Sequence, residues 1–194
     1  MTAGDEAGPG GSRGERGPGK DAGTGADAPA VTIIVDGANV VGSRPDGWWR
    51  DRAGAAVRLH DELAKLAARG AAGIPAEFLA TADGDQPSGP PGLGGDPSGL
   101  VQVRVILVLE GAARAAEPRI AERARTAESG RVRAGDAGGV HVVSAPGSGD
   151  DEIVRLARSR AGRRIVVTAD RELRRRCLAA GARVAGPSWL YTLL

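Results

Sequence analysis

Residues 31–41 read VTIIVDGANVV and residues 164–173 read RIVVTADREL. Each begins as a short run of aliphatic, mostly β-branched residues and then breaks into an aspartate, the pattern of a buried strand that delivers a carboxylate at its end. Working outward, three more runs of this kind follow: VQVRVILVL at 101–109, VHVV at 140–143 and a weaker ARVAG at 182–186. Helical stretches separate them. In 51–69 the residues Val57, Leu59, Leu63 and Leu66 keep helical spacing, and 119–128, 150–160 and 171–180, the last ending before Gly181, complete the set. Strands alternating with helices predict an α/β fold, a three-layer α/β/α sandwich with a mostly parallel central sheet of about five strands. The closing residues 188–194 are expected to lie on that sheet.

The regions outside this pattern are compositional. Residues 1–30 contain no large apolar side chain after Met1 and are rich in Gly, Ala, Pro and charge, so the segment is expected to be a disordered tail before a single domain at 31–194. Residues 82–99, ADGDQPSGPPGLGGDPSG, interrupt that domain and predict a surface loop. Cys177 cannot form an internal disulfide, and with His60 and His141 the only histidines no Cys/His zinc cluster can be built. Cys177 falls mid-helix and is expected in the core; His60, beside Asp61, is expected to be exposed. No apolar run reaches the roughly 18 residues of a membrane span, and the expected setting is cytoplasmic, without a membrane partner. Net charge is +2, but residues 1–30 hold three basic and five acidic residues, which leaves +4 on the domain. Its positive charge is almost all arginine, lysine occurring only at 20 and 65. Arginine suits bidentate phosphate contacts, although a GC-rich coding sequence produces the same bias.

The acids fall at the carboxyl ends of the strands. Asp36 follows the first run, Glu110 the second, Asp150 and Asp151 the third after a Gly-rich turn, and Asp170 the fourth. Asp150, Asp151 and Asp170 taken singly read as helix caps, whereas Asp36, before a glycine, has no expected helix beside it. Taken as a set on parallel strands they share one sheet edge, where site residues of α/β folds gather. Crowded carboxylates raise one another's pKa unless a cation sits among them, and oxygen donors without Cys or His select Mg²⁺ or Mn²⁺ over zinc. Other chemistries lack their motifs. No GxxxxGK[ST] phosphate loop, no complete GxGxxG and no Gly-x-Ser-x-Gly elbow occurs, and Ala38 stands where a haloacid-dehalogenase-type phosphatase needs its second aspartate.

The motifs VDGANVV (35–41), VLEG (108–111), GDDEIVRLA (149–157) and VVTADREL (166–173) together resemble the NYN branch of the PIN-like nucleases, with its bacterial YacP-like members. The resemblance spans about 31–187. It implies a metal-dependent endoribonuclease hydrolysing phosphodiester bonds of single-stranded RNA, with Mg²⁺ or Mn²⁺ as cofactor. Asp36, Asn39, Asp150 and Asp170 match the family's catalytic positions, and Glu110 stands where the family commonly has Asp. The metal set it implies is Asp36, Asp150, Asp170, Glu110 and, as a further candidate, Asp151. Thr168, Arg171 and Trp49 are the candidates for nucleic-acid contact: Thr168 as the hydroxyl residue of the T-x-D motif, Arg171 as the cation nearest Asp170, and Trp49 as a stacking surface. Ribosome association and homodimerisation are compatible with this reading. Two alternatives stay open, a non-catalytic RNA- or ribosome-binding protein and a small-nucleotide phosphohydrolase.

Overall fold

The computed structural model describes residues 31–79, 103–128, 139–160 and 162–194. The expected tail at 1–30 and loop at 82–99 lie outside these, as do residues 101–102 of the second apolar run. In chain order the strands are β1 (Val31–Asp36), β2 (Val103–Leu109), β3 (Val140–Ser144), β4 (Arg163–Val167) and β5 (Arg183–Ala185). The helices are α1 (Gly37–Gly42), α2 (Arg52–Arg69), α3 (Ala76–Leu79), α4 (Glu117–Glu128), α5 (Gly149–Ser159), α6 (Arg171–Ala179) and α7 (Pro187–Leu193), with 3-10 turns at Trp48–Arg50, Gly70–Gly73 and Gly111–Ala116.

The sheet is five-stranded and wholly parallel, in the order β3-β2-β1-β4-β5. Its two faces are both apolar, as expected of parallel strands covered by helices on each side. Ile33 and Val35 of β1, with Val105 and Leu107 of β2 and Val167 of β4, meet Leu59, Leu63 and Leu66 of α2 and Leu190 of α7. Ile34, Ile106 and Val166, one residue out of step on the same strands, meet Ile153, Val154 and Leu156 of α5 and Leu173 and Cys177 of α6. Alternate residues thus feed two cores, which is the three-layer α/β/α arrangement the sequence predicts. The C-terminal helix covers one face, with Leu190 buried. Cys177 is fully buried, and burial pushes its thiol up to about 11, far from the range of a thiolate nucleophile.

Two expectations are corrected here. Asp36 does have a helix beside it: it is the N-cap of α1, a six-residue helix that the glycine after the aspartate had masked. His60 is largely buried, with its Nδ1 shielded from solvent and 3.6 Å from an Asp61 oxygen. It follows Ala56 by four residues and precedes Leu63 by three, so it lies on the face of α2 that meets the core.

Gly37 explains itself through β2. A Cβ built there would stand 2.6 Å from the Val108 carbonyl oxygen, a backbone atom that cannot rotate away. Gly37→Ala is therefore expected to destabilise the fold by about 1–3 kcal/mol, the usual range for forcing extra volume into a packed interior. Urea denaturation would show a lower midpoint at unchanged slope.

Candidate active site

The order β3-β2-β1-β4-β5 sends the chain in opposite directions from β1, so a crevice opens beyond the carboxyl ends of β1 and β4. Asp36, the last residue of β1, pairs in register with Val108, and Glu110 comes two residues later, just past the end of β2. Asp170 caps α6, three residues beyond Val167 of β4. Asp150 is in the first turn of α5, which passes behind β1 and β2.

Asp36 is only 5% exposed, and its carboxylate is held from three directions. Oδ1 accepts from the Asn39 backbone N–H at 3.0 Å, while Oδ2 accepts from the Asn39 side-chain amide at 2.9 Å and from the Thr168 hydroxyl at 2.8 Å. Asn39 is the third residue of α1, so the Asp-x-x-Asn spacing is an N-cap interaction with a second tie from the side chain. Burial raises the Asp36 pKa above its ordinary value, the charge of Glu110 adding to it and the three hydrogen bonds opposing it.

Thr168 joins two strand ends. Its hydroxyl donates to Asp36 and accepts from the Asp170 backbone N–H at 3.1 Å, and its own N–H is bound to the Ala185 carbonyl of β5. Asp170 in turn accepts from the Leu173 N–H at 2.7 Å. Glu110 accepts from the Gly149 N–H at 2.8 Å, and a Cβ on Gly149 would come 2.6 Å from the same carboxylate oxygen. The glycine that opens α5 is what lets Glu110 approach.

Asp150 accepts no hydrogen bond from the described residues, yet its pKa is raised, first by burial and then by the charges of Asp36, Asp170 and Glu110, with Arg176 opposing them. Asp36, Asp170 and Glu110, each from a different strand-to-helix junction, therefore act on Asp150. Among the described residues no group of three or more His, Cys, Asp or Glu lies close enough together to hold a metal ion.

Three candidates fare differently. Asp151 is exposed and bound to Arg176 at 2.5 Å; its charge is absent from those acting on Asp150, so it stands outside the acidic cluster as a surface ion pair. Thr168 is completely buried with its hydroxyl engaged on both sides, so it positions acids and does not reach a nucleic acid. Asn39 likewise holds Asp36. Of the arginines on α6, Arg174 donates to the Thr168 carbonyl, Arg175 pairs with Glu172 and Arg176 with Asp151. Arg171 is exposed at the first helical position and forms no ion pair among the described residues. Trp49 is 54% exposed and stands edge-on to Trp48, ring centres 6.2 Å apart.

No family profile and no curated protein matches the chain. Among solved structures, a mutant of Rae1 (YacP) from Bacillus subtilis is similar at a TM-score of 0.44 and 16% identity, over 84% of this chain and 73% of that one. No helix among the described residues is long and apolar enough to cross a membrane.

Proposed function

We propose that the protein is an endoribonuclease that hydrolyses phosphodiester bonds of single-stranded RNA, with Mg²⁺ or Mn²⁺ held at the acidic edge of the sheet. One observation carries this reading: burial first, and then the charges of Asp36, Asp170 and Glu110, push the Asp150 carboxyl toward its protonated form at the edge where these strands end. Carboxylates drawn together in this way need a cation or partial protonation, and an oxygen-only donor set suits a hard divalent ion.

The residues fit such an ion. Mg²⁺ usually takes one or two carboxylates and keeps several waters, so a closed three-acid cage is not required. Among the described residues Asp150 accepts no hydrogen bond, and with two donors on Asp36 Oδ2 and one on Oδ1, Oδ1 keeps an unused acceptor position. When bound, the ion supplies charge that offsets the acids and the phosphate and makes water more acidic. The chain's own part is to set the acids beforehand. Thr168 and Asn39 fix Asp36, the Gly149 N–H fixes Glu110 and the Leu173 N–H fixes Asp170, so three of the four have their orientation determined before a substrate arrives. Arg171 offers a charged donor to a phosphate beside them.

A second reading, an RNA-binding protein that does not cut, is favoured by one detail: Glu110 already has an oxygen committed to Gly149. Incubating a mixed single-stranded RNA with Mg²⁺ or Mn²⁺, beside EDTA and Asp36→Asn controls, separates the two. Cleavage that disappears in both controls is the expected result. RNA retention without cleavage in either metal would establish the second reading, and turnover of free nucleoside triphosphates in place of RNA would make the site a nucleotide hydrolase.

A further inference from the structure

We infer that a groove beside the acids, between α1, α2 and the 3-10 turns at Trp48–Arg50 and Gly111–Ala116, is a subsite for one unpaired nucleobase of an RNA strand that crosses the acidic edge. This rests on the RNA part of the reading above. The groove has a volume of about 530 Å³ and is lined by Trp48, Arg52, Ala56, Glu110, Gly111 and Gly147, among others. Small-molecule sites typically span roughly 300–1,000 Å³, mostly apolar with a few placed polar groups.

Each wall has a use for a base. The Trp48 indole is half-buried and lies beside α1, where a Cβ on Gly42 would touch it at 3.6 Å. Arg52 lies over that ring at 5.4 Å, so an aromatic face and a guanidinium plane border the same space. Unpaired RNA bases are held in this way, stacked on aromatic or guanidinium surfaces and hydrogen-bonded at their edges. Glu110 is the link to the acids: it lines the groove and its charge acts on both Asp36 and Asp150. A base in the groove therefore carries its own ribose and phosphate toward that edge. Trp49, the stacking candidate chosen from the sequence, does not line the groove. The bordering glycines keep it open, since a Cβ on Gly111 or Gly147 meets nothing within 4 Å.

The test uses the three tryptophans of the chain. With Trp49→Phe and Trp189→Phe, Trp48 is the sole indole, and its fluorescence is followed in EDTA while AMP, GMP, CMP, UMP or ribose 5-phosphate is added. Quenching by at least one nucleotide and none by ribose 5-phosphate is expected. Trp48→Ala should weaken binding of a single-stranded RNA decamer in EDTA by roughly 5- to 150-fold, the equivalent of about 1–3 kcal/mol for one stacked base. Trp48→Phe should recover most of it. Gly147→Leu, which adds bulk at the lining of the groove without removing the indole, should weaken binding in the same direction and raise KM for cleavage more than it lowers kcat. Equal quenching by ribose 5-phosphate, or wild-type RNA binding by both Trp48→Ala and Gly147→Leu, overturns the subsite. Base-dependent quenching in a protein that cuts no RNA supports the subsite while overturning the nuclease; cleavage that is indifferent to Trp48→Ala and Gly147→Leu overturns the subsite alone.

Discussion

Asp150→Asn is expected to raise the thermal midpoint of the metal-free protein and to remove most of its RNA cleavage. Among the described residues the carboxyl has no hydrogen bond to lose, and it is disfavoured in its charged form by burial and by three neighbouring acids. An amide of the same shape removes that penalty. Asp150 is partly exposed, so solvent screening holds the gain to about 0.2–1 kcal/mol, and for a domain of this size 1 kcal/mol moves the midpoint by roughly 2–4 °C. The sign can be checked by pH. Because the folded pKa lies above the ordinary value of 3.8, the folded protein binds the proton more tightly than the unfolded chain. Asp150 thus subtracts no stability at pH values below that ordinary value, and subtracts progressively more as pH rises through the folded pKa. In EDTA the midpoints of wild type and Asp150→Asn should coincide near pH 3.5 and separate toward pH 7. A variant less stable than wild type at pH 7 would refute the crowding of these acids. With Mg²⁺ or Mn²⁺ the same substitution should lower kcat about 10²- to 10³-fold, the scale of losing one preorganised electrostatic group.

Thr168→Val is expected to harm both folding and turnover. Valine fills nearly the same volume but leaves the Asp170 N–H without its acceptor and removes one of the two donors on Asp36 Oδ2. Unpairing buried polar groups costs about 1–3 kcal/mol, readable as a lower urea midpoint. A residue that orients site carboxylates typically matters by about 10- to 100-fold in activity. Two further readouts distinguish positioning from simple instability. The Thr168 hydrogen bond lowers the Asp36 pKa, so its removal should shift the acidic limb of kcat/KM to higher pH. Thr168→Ser, which keeps the hydroxyl, should restore the limb even where it does not restore full stability.

The strands were legible because β1, β2 and β4 are buried on both faces, and an apolar run needs no partner to be recognised. The same is true of α2, α5 and α6, whose apolar residues repeat at helical spacing. What failed was local and brief. The α1 helix has six residues and opens on glycine, a poor helix former, so only Asp36 and Asn39, three apart, betray it. Glu117 and Pro118 open α4 two residues before Arg119, a proline near the start being itself a helix-opening signal. At the site, the positions of the acids followed from strand ends, but their partners did not. The role of Thr168 depends on Asp36 lying opposite it across a strand pair, and the separation of Asp151 from Asp150 depends on where Arg176 of another helix reaches. Likewise the two adjacent tryptophans are equivalent as letters; only the packing of α1 against α2 sends Trp48 into the groove and leaves Trp49 on the surface.

The bond between Thr168 and Asp36 spans 132 residues of chain. The middle strand, β1, is made first among the five, yet its neighbour β4 is made fourth and the hydroxyl that steadies its carboxylate comes just after. At about 5–20 residues per second of synthesis, Asp36 waits roughly 7–26 s for that partner. Until then the nascent chain holds a central strand open on one side and an acid without its full set of donors. The order of translation thereby acts as a safeguard: a polypeptide truncated before β4 has no assembled site, and competence arrives in one late step.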